Sequence, residues 1–504
     1  MMVRIGIGLA AMTALAACAV GPDFLRPTAP QVGGYTPERP TDPVQTANTA
    51  GGTPQHFAPG LDLPGEWWTL FHSETLDRLV KRALAANPDV AAAQAALRQA
   101  REVLYAGEGA LFPTASVNFQ PEHERLAGAV FGAPRETPTF SVVTAQLNIA
   151  YAPDIFGGTR RQIESLQSKV EYQRFELEAT YLTLTSSLAV AAINEASLRG
   201  QIEATEAIIK AESDQLDMVR QQFNVGSASA ADVLSQQATL AQSRATLPPL
   251  RKQLAQQRDQ LVALLGGLPN EALDARFDLA DLQLPGELPV SLPSQLVEQR
   301  PDVRAAEAQF HDSSASLGVA IANQLPQFSI SAGLGTTAAG FTDLFTPATA
   351  VWSIAGGITQ TLFDAGTLMH KKRAAAAALD QAAAQYRGTV VRAFQNVADA
   401  LRALQLDADT LHEQAAAERA AADSLTLARA QFQAGAISYL LMLNADRTWQ
   451  QARLTLVQAE AARFADTAAL FQALGGGWWH REDVAAPIHG PDRLVIPVVS
   501  ATQP

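Results

Sequence analysis

Four stretches of this chain alternate apolar and polar residues with a period of two. Ala115, Val117 and Phe119 are interleaved with Ser116, Asn118 and Gln120. Val143, Ala145, Leu147, Ile149 and Tyr151 are interleaved with Thr144, Gln146 and Asn148. Phe328, Ile330, Ala332 and Leu334 alternate with Gln327, Ser329, Ser331 and Gly333. Trp352, Ile354, Ile358 and Leu362 alternate with Ser353, Gly357, Thr359 and Thr361. The pattern predicts strands over about 113–121, 138–151, 326–336 and 350–362. About ten residues is the length a tilted strand needs to cross a bilayer, with one face for lipid and one for water. Half-buried strands of a soluble sheet alternate in the same way, so the surroundings must decide.

Between the strands the period changes. Ile163, Leu166, Val170, Leu177, Leu184 and Leu188 keep a three/four spacing that suits a coiled-coil seam. Pro is absent from about Asp154 to Leu247 and from about Ala348 to Ala486. Pro strongly destabilises a helix interior, so these gaps permit very long helices. The expected pair runs from about Thr159 to Asn224 and from about Thr367 to Gln433, each about 100 Å long at helical rise. Such helices stand in water and pack sideways on one another. Gly226 and Gly435 fall where the chain reverses, as left-handed residues that end a helix. Ser229 and Ser438 suit the N-caps of the returning helices. A further helical region opens at Trp67-Trp68-x-x-Phe71, with Ser73 as an N-cap, and runs to about Gly107.

The same features occur twice, roughly 210 residues apart. Asn87-Pro88-Asp89-Val90 returns as Arg300-Pro301-Asp302-Val303. Phe223-x-x-Gly226-x-x-Ser229 returns as Phe432-x-x-Gly435-x-x-Ser438, and Leu265-Gly266-Gly267 as Leu474-Gly475-Gly476. One unit has been duplicated. The expected organisation is a first repeat over 66–285, with its tip at 225–229, and a second over 286–479, with its tip at 434–438. Residues 1–17 read as a signal peptide, 18–65 as an N-terminal arm and 480–504 as a polar, disordered tail.

The ends and the composition narrow the class. Arg4, an apolar run from Ile5 to Leu15 and small residues before Cys18 form an export signal. Leu15-Ala16-Ala17-Cys18 resembles a bacterial lipobox, which makes Cys18 the expected lipid attachment point. Cys18 is the only cysteine, so no internal disulfide competes for it. Residue 19 is Ala rather than Asp, which favours outer-membrane sorting. The composition is 47% hydrophobic and 17% charged, and the net charge of -13 argues against nucleic acid as a partner. No mature segment holds about 18 consecutive apolar residues, so a membrane crossing must use strands.

Four strands do not close a membrane barrel, and an open sheet in lipid leaves unpaired edges. Two copies would give eight strands and a plugged core; three give twelve and an aqueous lumen. The polar inner face favours three. The expected fold is therefore mainly α with a transmembrane β-barrel: a duplicated unit of long coiled-coil helices and two strands, closing in a homotrimer as a twelve-stranded barrel above an α-helical tunnel. Val117, Leu147, Ile330, Trp352 and Ile354 are the expected lipid-facing positions. Trp67-Trp68 and Trp478-Trp479 lie outside the strands and are assigned to packing around the middle of the tunnel. Asp154 and Asp364, at strand-to-helix junctions, suit helix N-termini. Ala374 to Ala378 reads as close helix packing.

At this point the chain resembles the outer-membrane efflux factors of the TolC type, in the lipoprotein branch called OprM/NodT. The residues that carry the resemblance include Cys18-Ala19-Val20-Gly21-Pro22-Asp23-Phe24, Trp67-Trp68-x-x-Phe71 and Asn87-Pro88-Asp89-Val90. Asp154-Ile155-Phe156-Gly157, Phe363-Asp364-Ala365-Gly366 and both Phe-x-x-Gly-x-x-Ser turns add to it. The resemblance implies an exit duct for small molecules such as drugs. Its implied partners are a periplasmic adaptor, an inner-membrane transporter driven by protons, and outer-membrane lipid. It implies adaptor docking at the tips and a periplasmic gate after the second tip, here Leu440, Asn444, Asp446 and Arg447. Relatives carry an Asp where this chain has Asn444.

No phosphate-cradling G-x-x-x-x-G-K and no H-E-x-x-H occurs, and the eight His are scattered, so an enzyme is not expected. No cofactor is expected beyond the lipid on Cys18. A lipid-anchored periplasmic coiled-coil structural protein is the alternative, and it gives no reason for four strands of membrane length.

Overall fold

The computed structural model describes residues 19–38, 40–125, 139–482 and 484. The signal peptide, Cys18 and most of the expected tail lie outside the described residues. The duplication governs the architecture. Helices α1 (Glu74–Ala86) and α2 (Pro88–Glu108) lead into strand β2 (Thr114–Arg125). Strand β3 (Thr139–Tyr151) leads out into α3 (Gly158–Asn224), and α4 (Ala230–Leu264) returns. The second copy follows the same order: α5 (Pro293–Gln299), α6 (Pro301–Ala322), β5 (Gln327–Ala338), β6 (Ala350–Thr359), α7 (Thr367–Gln433) and α8 (Tyr439–Ala473). The two long helices have 67 residues each and the two returning helices 35 each. The expected long helices match these bounds to within one residue. The strands run further than the sequence indicated in β2 and β5, and β6 stops at Thr359 rather than 362.

Local chemistry explains the boundaries. Ser73 caps α1 by accepting the Leu76 amide at 3.3 Å. Asn87 caps α2 through the Asp89 and Val90 amides, and its Nδ2 donates to the Leu264 carbonyl at 3.0 Å. In the second repeat Arg300 replaces Asn87, and its Nη1 reaches the equivalent Ala473 carbonyl at 2.9 Å. Two different side chains thus tie each repeat's entry to the end of its returning helix. Asp154 accepts the Thr159 and Arg160 amides, and Asp364 accepts those of Gly366 and Leu368. Both carboxylates close a helix N-terminus, where negative charge is favoured. The backbone donors, led by Leu368, hold the Asp364 carboxyl below its usual range. Pro248 and Pro249 fall inside α4, a helix interior that the Pro-free gaps did not predict.

The core sits at the equator, where both repeats meet. Trp67, Trp68 and Phe71 are buried against Phe464 and Phe471. Trp478 packs edge-on to Phe175. Trp67, Trp68 and Trp478 are core, and Trp479 is half-buried beside them with its indole N–H on Asp62. The arm is not a free linker. Its strand β1 (His56–Pro59) pairs in parallel with β4 (Glu287–Val290) of the second repeat. Tyr35 Oη donates to the Ser291 carbonyl at 2.8 Å, and His412 donates to the Thr46 carbonyl at 2.8 Å. Arg463, fully buried, holds the arm through the carbonyls of Pro43 and Thr53 at 3.2 and 2.7 Å.

Three carboxyls share this clamp. Burial pushes Glu460, which accepts the Thr49 hydroxyl, up to about 7. Burial and the neighbouring Asp466 push Asp407 up to about 8. Both folded-state values lie above those of an unfolded carboxyl, so their stability is complete below about pH 4 and is lost as pH rises to about 8. Thermal stability of the equator is expected to fall between pH 5 and pH 9, and Asp407→Asn with Glu460→Gln to flatten that slope. An unchanged slope in melting scans of the double variant would place the pH sensitivity elsewhere.

Candidate functional site

Four surfaces carry the candidate chemistry: the sheet, its junction with the helices, the tips, and the network behind the second tip. The sheet order is β2-β3-β5-β6, antiparallel throughout. Its register pairs Val117 with Leu147, Leu147 with Leu334 and Leu334 with Trp352. Paired residues share a face, and so do residues two apart. Val117, Leu147, Ile330, Trp352 and Ile354 therefore lie on one face. Val117, Trp352 and Ile354 are 79%, 75% and 73% exposed in the single chain. Asn118, Gln146, Ser331 and Ser353 lie on the other face, where Val351 is an apolar exception opposite Gly335. Among the described residues, strands β2 and β6 each pair on one side only, so both edges of the sheet are open there.

At the sheet-to-helix junction the N-terminal arm begins. The Val20 amide donates to the Phe156 carbonyl at 3.0 Å, and a Cβ on Gly157 would lie 2.6 Å from the Ala19 Cα. Arg161, buried at the start of α3, holds the Val20 and Gly21 carbonyls and pairs with Asp23 at 2.6 Å. The residue after Cys18 is thus fixed beside the end of β3.

The tips reverse as the sequence indicated. Gly226 has φ 79° and Gly435 φ 72°. In each, an amide two or more residues past the helix returns to a carbonyl five residues back: Ser227 to Gln222 and Ala436 to Gln431, both at 2.8 Å. The caps then diverge. Ser229 forms a capping box with Asp232, whereas Ser438 stands at the N-cap without a side-chain bond, and Leu441 at the third helical position has no side-chain acceptor for the return bond. A polar groove of about 350 Å³ beside the tips is lined by Thr239, Ser243, Arg447 and Gln450 among others.

The gate candidates separate. Leu440 is 62% exposed, and Asn444 and Arg447 are exposed on α8. Asp446 is turned inward and 2% exposed, so it supplies no free charge beside them. It pairs with Arg429 of α7 at 3.2 Å and accepts Gln450 Nε2 at 2.6 Å. Gln450 also donates to Glu212 of α3 at 2.8 Å. Desolvation raises the Asp446 carboxyl above its ordinary value against the pull of Arg429. Arg447 Nη2 reaches Thr239 of α4 at 3.1 Å. Tyr439 donates to Gln236, whose amide reaches the Glu212 carbonyl. Sequence reasoning missed Glu212, Arg429 and Gln450. A buried polar residue in a 67-residue helix breaks no spacing rule, so only the asymmetric pairing of α3 with α8 exposes it.

A four-stranded sheet with one apolar exposed face, continued by paired 67-residue helices and duplicated within the chain, defines an outer-membrane channel subunit. The family described as "Outer membrane efflux protein" matches residues 79–267 and 292–476, one match per repeat, and the chain belongs to that family. It is the outer-membrane channel of an efflux system, a member of a transport family rather than an enzyme family, which displaces the structural coiled-coil reading.

The pyoverdine export outer membrane protein OpmQ of Pseudomonas putida is 29% identical over 455 residues, covering 88% of this chain and 94% of the relative. The cation efflux system protein CusC of Escherichia coli strain K12 is 26% identical, covering 92% and 97%. Among solved structures, the outer-membrane channel OprN superposes with a TM-score of 0.82 at 26% identity, covering 92% of this chain and 100% of the other. The Campylobacter jejuni CmeC outer membrane channel shares the fold at the same TM-score of 0.82 and 19% identity.

The unequal tip caps give a direct expectation. Ser229→Ala removes a capping box and is expected to cost about 1 kcal/mol locally, whereas Ser438→Ala costs little. Hydrogen exchange of the amides near each tip checks this; equal loss of protection at both would contradict the asymmetry.

Proposed function

We propose that three copies close their open sheet edges into a twelve-stranded barrel and stack their helices into a tunnel crossing the periplasm. The observation that carries this reading is the sheet itself: its apolar face is exposed, both edges are open, and each strand pair runs into a long helix. An unpaired backbone group in lipid costs several kcal/mol, and closure removes every edge. The face bearing Val117, Leu147, Ile330, Trp352 and Ile354 meets lipid, and the face bearing Asn118, Gln146, Ser331 and Ser353 lines the lumen. Lipid on Cys18 adds a second anchor. The seat of Ala19 beside the end of β3 supports it, since an acyl chain there needs no long tether to reach the bilayer.

Leu147→Arg is expected to destabilise membrane insertion by about 2–4 kcal/mol near the midplane, and Gln146→Arg to be tolerated. Intact mass of the mature protein is expected to show an acylated Cys18. Equal effects of the two Arg variants would overturn the face assignment, and an unmodified Cys18 would overturn the anchor.

In this reading the tips at Gly226, Ser229, Gly435 and Ser438 receive a periplasmic adaptor, which joins the duct to an inner-membrane transporter driven by protons. The polar groove lined by Thr239, Ser243 and Gln450 gives helical adaptor segments hydrogen-bonding partners. The resting gate lies where exposed Leu440 and Asn444 crowd the three-fold axis, one turn apart on α8. Asn444 bonds to its symmetry mates without the repulsion of a carboxylate ring. Arg447, tied to Thr239, holds α8 against α4 and keeps the ring narrow. Replacing Leu440 and Arg447 with Ser is expected to raise conductance in planar bilayers without any partner. Gly435→Val, strained at positive φ with open space around it, is expected to leave the barrel intact while adaptor crosslinking is lost. A double variant as closed as the parent would move the gate elsewhere, and unchanged crosslinking would remove the docking assignment.

A further inference from the structure

The duplication provides a template for a surface that one chain leaves bare. Within the chain, α6 lies along the membrane-proximal part of α3. A Cβ on Gly318 would lie 2.9 Å from Arg161 Cγ, and one on Gly158 would lie 3.0 Å from the Ala322 Cβ. His311 Nε2 meets Glu164 Oε1 at 2.8 Å. His311, Ala315, Gly318 and Ala322 thus form one stripe at helical spacing against α3. Ala315, Gly318 and Ala322 are buried and His311 is half-buried.

Helix α2 is the twin of α6, and α7 is the twin of α3. Aligning Pro88 with Pro301 puts Arg98, Glu102, Tyr105 and Gly109 on the equivalent stripe. Aligning the left-handed caps Gly157 and Gly366 makes His370, Arg373 and Ala374 the counterparts of Arg161, Glu164 and Ser165. Every one of these α2 and α7 residues is exposed. Helices α2 and α7 share no packed interface within the chain, although α3 and α6 do.

We infer that α2 of one copy lies against α7 of the next, and that Glu102 is the acid that receives the basic run Lys371-Lys372-Arg373 across the seam. The inference rests on the cyclic closure proposed above. Helix α2 leads into β2 and α7 follows β6, and these strands are the two open edges, so joining edge to edge brings the two helices together. Glu102 carries the charge opposite to the basic run. His370 to Arg373 are consecutive and exposed, and neither their side chains nor that of Glu102 joins an ion pair among the described residues. Like charges on one turn repel, so the run gains when an acid is brought to it. On the template Glu102 takes the place of Ala315, between the levels of His370 and Arg373, while Arg98 takes that of His311, level with Arg373, so Glu102 is the acid set among bases of both helices. Side-chain size is exchanged across the seam: long Arg161 lies over Gly318 within the chain, and Tyr105 faces shorter His370 between copies. Ala374 and Ala377 leave room for close approach, which assigns a partner to an alanine run that is bare in one chain.

The test uses the full-length protein with Cys18→Ser, purified in detergent. Tyr105→Cys with His370→Cys is expected to give covalent dimers and trimers on oxidation, and Tyr105→Cys alone to give no covalent trimer ladder. Glu102→Arg and Arg373→Glu are each expected to lower the temperature at which the assembly dissociates in SDS, and their combination to regain most of the loss. Light scattering separates the two layers of the proposal. A trimer that crosslinks and shows charge-swap rescue supports the seam. A trimer without either overturns the seam and leaves the closure standing. A stable monomer overturns both. A trimer in which the charge variants change only binding to anionic vesicles would assign the basic run to lipid and overturn its pairing with Glu102.

Discussion

Backbone hydrogen bonding in lipid is the constraint on which the molecule depends. A strand in the hydrocarbon layer must pair on both sides, and water is not there to replace a missing neighbour. Four strands in the order β2-β3-β5-β6 satisfy only the inner pairings. The rest of the structure accommodates that shortfall. The chain carries a duplicated unit, so that each strand pair continues into a helical hairpin. The arm, the aromatic core and Arg463 fasten the two repeats at the equator, which fixes the angle between neighbouring units.

Much of this was legible because strand and helix leave different periods. Val117 to Phe119 and Leu147 to Tyr151 show a period of two without help from tertiary structure, and the register puts them on the face their pattern required. Helix lengths followed from the absence of Pro, and reversals from Gly226 and Gly435, because a positive φ needs a residue without a Cβ. The limits are equally physical. Pro248 and Pro249 sit inside α4 on an exposed stretch, with no buried residue of that helix between Leu240 and Leu261 in the single chain, so the rule against helix-interior Pro misleads there. The sequence shows the arm only as an N-terminal arm, and not where it docks, because its anchoring groups are carbonyls, which no side-chain pattern advertises. Asp446 reads as a surface acid from its place near the tip. Its partner Arg429 is on another helix, and its burial is settled by packing among α3, α7 and α8.

The two repeats diverge where their surroundings differ. Asp154 and Asp364 do the same job at helix starts, and Asn87 and Arg300 reach equivalent carbonyls with different chemistry. At the junction, Arg160 and Arg161 of the first repeat are paired within the chain, whereas the basic run of the second is bare. A duplicated gene begins with identical surfaces. Those that meet inside the chain and those that do not are then free to change separately, so the unmatched charges carry information about what lies outside.

The two ends of helix α8 are held by different interactions. Helix α8 is tied to the first repeat near its end by Gln450 to Glu212, Arg447 to Thr239 and Tyr439 to Gln236. These are hydrogen bonds around a small apolar cluster of Val219, Met442, Leu443 and their neighbours. At the equator the same helix is held by Phe464, Phe471 and buried Arg463 in the main core. A net hydrogen bond contributes about 1 kcal/mol, whereas truncating one buried Phe costs about 3–5 kcal/mol. The tip is therefore held by polar pairs around a small cluster, and the equator by large buried aromatics. Two buried acidic side chains, Glu212 and Asp446, share Gln450 at the tip, with Arg429 paired to Asp446. The fold thus concentrates its largest apolar core at the equator and keeps a smaller, more polar cluster at the tip.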